Sequence, residues 1–356
     1  MFRPKFKEHY DVIAEASDRY QVRSSEVLSV LTGATVRTLF DKLLPLLDGE
    51  HTLDEIASRL SDVASPEVIG AVIDRLKAAK FVEDAAVYSE SSLTPEELAH
   101  YRRQMIFLDI ALDQGTPLDY HKSLSASRLL IIGDGTLATG VAAQAARTGL
   151  GHIFAPNLKD NSAINQLNPF IRFAAMGVAL DDQERIQAAI EQEKPSLLLA
   201  AFDRPEPAML RWANTQSLNL NIPLLISLIN GIEGIVGPFV VPGRTPCLMC
   251  QHLRVVRNLD FYQEYVAWEN WAMTDGRERR TQTGALAPFT DMVASMAAIE
   301  VFKFASGFHE PETYGKFITV DALTLEVIPH QVLRLPRCPD CGKARSKPIT
   351  SPWQGV

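Results

Sequence analysis

The first ninety residues alternate between strand-like and helix-like spacing of their apolar positions. Short β-type runs occupy Tyr10 to Ala14, Tyr20 to Arg23 and Val27 to Leu31, with turn residues in the EASD and SSE segments between them. Leu39, Phe40, Leu43, Leu44 and Leu47 then recur at helical spacing, where Pro45 should shorten the last turn and Gly49 marks a stop. Thr52 and Glu55 form a capping box for a second helix. Ser65 and Pro66 open a third, with Val68, Ile69, Val72, Ile73 and Leu76 as its apolar positions. FVED returns to a strand. Three strands, three helices and a closing strand predict a winged helix-turn-helix domain over residues 1–90. After the Ser-rich stretch AAVYSESSLTPEE, Thr94 and Glu97 cap a further helix. From Arg128 onward, RLLII, GHIFA, SLLLAAF and PLLISLI are continuous apolar runs of the parallel-sheet kind, separated by helical patterns. Residues 91–356 are therefore expected to form an α/β domain with a doubly wound sheet.

Composition narrows the class. Apolar residues make up 46% and charged residues 22% of the 356, which is a globular balance. The net charge of -8 argues against a protein that coats nucleic acid or an anionic membrane. A DNA-reading winged helix fares poorly as well, because the third helix sets only Arg75, Lys77 and Lys80 against Glu67 and Asp74. No run of 18 apolar residues is present and the N-terminus lacks an apolar signal core, so no membrane partner and a cytoplasmic location are expected.

Two motifs carry chemistry. Cys247 and Cys250 in PCLMC, with Cys338 and Cys341 in RCPDCG, use every cysteine of the chain in matched pairs. Each pair sets two sulfurs on one small loop, which suits a tetrahedral thiolate zinc site clamping distant segments together. Four protein ligands leave no open position, so the zinc is expected to be structural. The second motif is the loop Gly133-x-Gly135 between a buried strand and a helix. Such a loop can bring backbone N–H groups to a phosphate, or can simply make a tight turn. The third glycine position holds Ala138, and Ala155-Pro156-Asn157 stands where a ribose-binding acid would end the next strand.

Several segments together carry a family resemblance. His100-Tyr101-Arg102-Arg103-Gln104 is similar to the Arg-Tyr-x-Arg-Gln signature of the ThiF/MoeB family, bacterial relatives of ubiquitin-activating enzymes. The glycine loop, IPLLISLINGIEGIVGPFVVPGRTPCLMC, TGALAPFTDMVASMAAIEVFKFASG and the second cysteine pair follow in the family's order, over residues 95–345. The resemblance implies a Rossmann-like fold and a vestigial nucleotide site of Arg103, Gly133, Gly135 and Asp203. Arg103 would match the family's arginine finger and Asp203 its metal-binding aspartate; each also reads as an ordinary surface cation or loop acid. The ribose acid and the segment that carries the phosphate-binding arginine and lysine are missing before Asn168-Pro169. ATP is therefore not expected, and no catalytic residue is assigned. No cysteine remains for a thioester carrier.

The first ninety residues separately resemble PqqD-type domains, which bind leader segments of ribosomally made peptides. The combination is similar to the partner proteins of YcaO cyclodehydratases, which make thiazole/oxazole-modified peptides. It implies a scaffold that captures a precursor's leader and presents it to a YcaO-type enzyme. The leader would add to the strand Val27, Leu28, Ser29 and Val30, beside Ile69, Val72, Ile73 and Leu76 of the third helix. The alternative is an adenylyltransferase of the ThiF/MoeB type acting on a peptide. A homodimer is expected from the same resemblance and from the small residues Ala294, Ala297 and Ala298 of the late helix. Tyr262, Tyr265, Trp268 and Trp271, near Arg277, Arg279 and Arg280, read either as core or as a partner surface.

Overall fold

A computed structural model describes residues 1–16, 18–25, 27–33, 36–89, 91–112, 115–159, 162–274 and 284–342. Arg277, Arg279 and Arg280 lie outside the described residues. The chain divides into two compact units, Met1–Leu118 and Asp119–Val356.

The first unit holds an antiparallel sheet of β2 (Asp11–Ala16), β3 (Arg19–Arg23) and β4 (Leu28–Thr32) in the order β2-β3-β4. Side chains alternate across it, so Tyr20 and Val22 of β3 are buried while Arg19 and Arg23 face solvent. Pro45 ends α1 (Val36–Leu43) early, and Leu44–Leu46 tightens into a 3₁₀ turn. Both capping boxes form. Thr52 Oγ1 accepts from the Glu55 N–H at 3.3 Å at the start of α2 (Leu53–Arg59), and the Glu55 carboxylate accepts from the Thr52 N–H at 2.8 Å. Thr94 and Glu97 repeat the arrangement at α5 (Pro95–Ala111). Ser65 occupies the N-cap of α3 (Pro66–Ala78), but its side chain makes no capping hydrogen bond. The core of this unit gathers Val22, Phe40, Leu43, Ile56, Ile69, Ile73 and Phe81. A strand without a sequence signal, β1 (Pro4–Phe6), pairs with β5 (Val82–Asp84), with Lys5 opposite Glu83. Three residues are too few to show a period, which is why the pattern predicted only the later partner. The short α4 (Ala86–Ser89) and α5 belong to the same compact unit.

Helix α6 (Pro117–Ala126) spans the division at Leu118, and the second unit is built on an eight-stranded sheet. Its parallel part is β6 (Arg128–Ile132), β7 (His152–Ala155), β8 (Arg172–Ala175), β9 (Leu197–Phe202) and β10 (Leu224–Asn230). The crossovers are α7 (Thr136–Arg147), α8 (Ser162–Leu167), α9 (Gln183–Glu193) and α10 (Pro207–Leu220). Strands β11 (Glu233–Val240), β12 (Lys316–Asp321) and β13 (Val327–Gln331) complete it in the order β13-β12-β11-β10-β9-β6-β7-β8. The four strands expected to be parallel are so, and β11, β12 and β13 add an antiparallel part to the sheet. Only Gly231, at φ +66°, and Ile232 separate β10 from β11, and so short a link cannot make a crossover.

Among the described residues, three further helices lie between β11 and β12: α11 (Leu248–Arg257), α12 (Tyr262–Met273) and α13 (Ala287–Ser306). A Cβ placed on Gly140 of α7 would come within 2.9 Å of the Ala294 Cβ, so α7 and α13 pack closely through small residues. Ala294, Ala297 and Ala298 are all buried within the chain. That stripe serves packing inside the unit, and the dimer argument drawn from it is withdrawn. No helix among the described residues is long and apolar enough to cross a membrane.

Candidate functional site

The strand order reverses between β6 and β9, the place in an open α/β sheet where ligands usually bind. The glycine loop sits there. Gly133 has φ +154°, and a Cβ on it would lie 2.0 Å from the Ala201 carbonyl oxygen, so the turn requires glycine. Asn157, at the end of β7, is almost fully buried and pins the loop. Its Oδ1 accepts from the Gly133 N–H at 3.1 Å and its Nδ2 donates to the Val178 carbonyl at 3.1 Å. A carboxylate in this buried position could accept the first bond but could not donate the second. The residue type here thus suits loop support.

Asp203, just past β9, faces the N-terminus of α7. Its carboxylate accepts from the Thr136 N–H at 2.7 Å, the Thr136 hydroxyl at 2.8 Å and the Leu137 N–H at 2.7 Å. A Cβ on Gly135 would meet the Asp203 carboxylate at 2.5 Å, so the second glycine admits the aspartate. Two of the N–H donors at this helix N-terminus are thus taken by the protein's own anion. Gly133, Gly135 and Asp203, grouped in one site by the family resemblance, meet at one turn. Arg103 lies on α5 in the other compact unit and is exposed. Asn168 is structural, since its Nδ2 donates to the Ala146 carbonyl and its Oδ1 accepts from the Phe170 N–H.

The four cysteines come together. Sγ atoms of Cys247 and Cys338 are 3.5 Å apart, Cys250 and Cys341 are 3.5 Å apart, and Cys247 and Cys250 are 3.9 Å apart. All four lie within 4.8 Å of one another. A tetrahedron with metal–sulfur bonds of about 2.3 Å has sulfur–sulfur edges of roughly 3.8 Å, so the cluster could hold a metal ion. Cys247 begins α11 as its N-cap, and Cys250 Sγ accepts from the Leu335 N–H at 3.4 Å. The second knuckle turns so tightly that a Cβ on Gly342 would touch the Cys338 carbonyl oxygen at 2.4 Å. Arg334 donates to the carbonyls of Gly243 at 3.0 Å and Cys341 at 2.9 Å, linking the loop before the first knuckle to the second knuckle. Burial pushes the Cys247 thiol well up and the Cys250 thiol up to about 11. Burial acts the same way on Cys341, but hydrogen bonds from the neighbouring thiols outweigh it and hold that group below its ordinary value.

In the first unit, β4 is one of the two edge strands of its sheet, β2 being the other. Leu28 is 63% and Val30 41% exposed, while Leu31 packs against the core and Ser29 faces β3 opposite Val22. Val27, just before the strand, is exposed. On α3 the placement differs from expectation. Ile69, Ile73 and Leu76 are 0%, 1% and 4% exposed and belong to the core, Val72 is half-buried, and Val68 faces solvent. Val68 and Val72 are the positions of that stripe left open to solvent, because Ile69, Ile73 and Leu76 join Phe40, Leu43 and Ile56 in the core. The aromatics of α12 settle on neither simple reading. Tyr262 is exposed and Trp271 partly so, and the buried positions of the helix are Glu269 and Ala272.

Comparison with known proteins agrees with this architecture. A family model described as the ThiF family matches residues 160–343. The chain belongs to the ThiF family. A second model, a winged helix-turn-helix domain, matches residues 5–84. As a ThiF-family chain it is 23% identical over 278 residues to the molybdopterin-synthase adenylyltransferase of Escherichia coli (strain K12), covering 71% of this chain and all of that protein. Among solved structures, Escherichia coli MccB superposes with a TM-score of 0.65 at 17% identity, covering 98% of this chain and 99% of that one. The heterocyclase TruD gives a TM-score of 0.63 at 21% identity over 96% of this chain but only 43% of its own. These likenesses establish a shared fold.

Proposed function

We propose that the protein binds the leader region of a ribosomally made precursor peptide and presents it to a YcaO-type cyclodehydratase that forms azoline and azole rings. The observation that carries the reading is the outer strand β4 with Leu28 and Val30 exposed beside a winged-helix core. Such an edge offers backbone donors and acceptors to an extended peptide, and exposed apolar side chains give the docked strand something to bury. Residues 1–90 would act as a PqqD-like recognition domain and residues 91–356 as the ThiF-type body, stapled by one structural zinc on Cys247, Cys250, Cys338 and Cys341. The structural likeness to a heterocyclase supports this assignment, as does the crystallisation of MccB with MccA. The location would be cytoplasmic. A homodimer remains part of the proposal on family resemblance alone, and light scattering that returns a monomer would remove it.

The second reading is an adenylyltransferase acting on a peptide, favoured by similarity over the full length of an adenylyltransferase and by MccB, a structure of which contains ATP. Against it stands Ala155-Pro156-Asn157, where the ribose-binding acid of the adenylating members would follow β7, and we propose that the chain carries no ATP chemistry of its own. The deciding experiment pairs two titrations of the full chain. Fluorescence polarisation of a labelled leader should show saturable binding that Leu28→Glu weakens by about tenfold. Calorimetry with ATP and magnesium should show no heat of binding. The reverse pair of results transfers the assignment to the adenylyltransferase.

A further inference from the structure

Tyr262, Tyr265, Trp268 and Trp271 recur on α12 at helical spacing, yet the helix buries Glu269 and Ala272 instead. Tyr265 and Trp268 line a cavity of about 840 Å³ within the second unit. Its floor is the sheet, through Leu228, Ile235 and Phe317, and its sides are α10, α11 and α12, with Met249 and Val255 prominent. The polar groups inside are already matched to one another. Glu269 pairs with Arg211 at 3.0 Å and with His252 at 3.4 Å, and the Thr319 hydroxyl meets His330 Nε2 at 2.9 Å. Two carboxylates on the lining have no cationic partner among the described residues: Glu233, and Asp340, which accepts a hydrogen bond from the neutral Asn214 amide at 2.8 Å. Leu259 extends the apolar lining to the surface, and Phe261 and Tyr262 follow it in the chain, with Phe261 73% exposed.

We propose that this cavity is a second peptide-docking pocket, which accepts a large apolar side chain of a partner protein followed by lysine or arginine. The proposal goes beyond leader binding at β4 and does not depend on it. Apolar walls of this size supply the driving force for one or two large side chains. Glu233, and Asp340 whose partner Asn214 is neutral, supply the charge preference, because a cation nearby relieves two uncompensated carboxylates while an anion is repelled. The apolar surface that continues past Leu259 suits an extended chain better than a small metabolite. A nucleotide or free phosphate is the wrong charge for this lining.

The test uses the full chain and a fluorescein-labelled hexapeptide containing one leucine, one tryptophan and two lysines. Two control peptides replace the lysines with glutamates, or the leucine and tryptophan with serines. Fluorescence polarisation should give saturable binding of the first peptide and about tenfold weaker binding of each control. Leu259→Glu, at an exposed position, should weaken the first peptide by about tenfold with an unchanged circular dichroism spectrum, and Glu233→Gln should weaken it several-fold. Leu28→Glu should leave it unaffected, and Leu259→Glu should leave leader binding unaffected. Absence of saturable binding, equal affinity for the lysine and glutamate peptides, or indifference to Leu259→Glu would overturn the proposal. So would a drop in molecular mass by light scattering on Leu259→Glu, since the patch would then be a contact between copies of this chain.

Discussion

Asp203 illustrates how one side chain changes the meaning of a motif. A glycine loop before a helix offers two free N–H groups, and here a carboxylate from a neighbouring strand end accepts both. Replacing Asp203 with Ala leaves those donors without their partner and should destabilise the second unit by about 1–2 kcal/mol, read from urea unfolding. Asn at the same position should recover much of the loss. Glu83 makes the opposite kind of demand. Burial pushes its carboxyl above the ordinary value and the nearby Asp109 adds to the effect, while Lys7 and Lys5 and a hydrogen bond from Tyr88 oppose them. Below the ordinary glutamate range the group is protonated in both states and costs nothing. As pH rises toward the folded value, the unfolded chain ionises first and stability falls. Glu83→Gln should therefore stabilise the protein at neutral pH and leave it unchanged near pH 4, by comparison of unfolding midpoints; equal differences at both pH values would rule the account out.

Among elements, β4 and α3 show what periodicity carries and what it does not. The strand's alternation and the helix's apolar stripe are both readable in sequence, but only packing says which face is spent on the core. Leu28 and Val30 turn outward, while Ile69, Ile73 and Leu76 turn inward onto Phe40, Leu43 and Ile56. Ile73→Glu should thus unfold the first unit, since it buries an unpaired charge at a fully enclosed position, with a loss of more than about 3 kcal/mol. Val68→Glu and Leu28→Glu, both at exposed positions, should keep the thermal midpoint within a few degrees. A measured midpoint for Ile73→Glu close to that of the parent would show that the helix face had been misjudged. Helix α13 gives the same lesson for small residues, since its alanines are consumed against α7 rather than offered to a second copy.

For the whole molecule, the cysteine cluster joins α11 to the segment after β13, two parts far apart in sequence. Burial favours protonated thiols at Cys247 and Cys250, so a bound cation would be what makes all four thiolates affordable. Metal analysis should return one zinc per chain. Cys338→Ser, or chelator, should expose the residues around Leu335 and Arg334 to proteolysis while the parallel sheet persists. Less than about half an equivalent of zinc in protein purified without chelator would defeat this reading. Much of this was legible in the chain. The capping boxes, the break at Pro45, the buried parallel strands and the pairing of the cysteine knuckles each depend on residues a few positions apart, or on a count of thiols. The pairing of β1 with β5, the antiparallel return of β12 and β13, Asn157 behind the glycine loop, and the aromatic cavity on α12 were settled only by the tertiary structure. In each case the deciding neighbour comes from a distant part of the chain. Local spacing says that a face is apolar or that a turn is tight; burial and hydrogen-bond partners are fixed by what the fold lays against it.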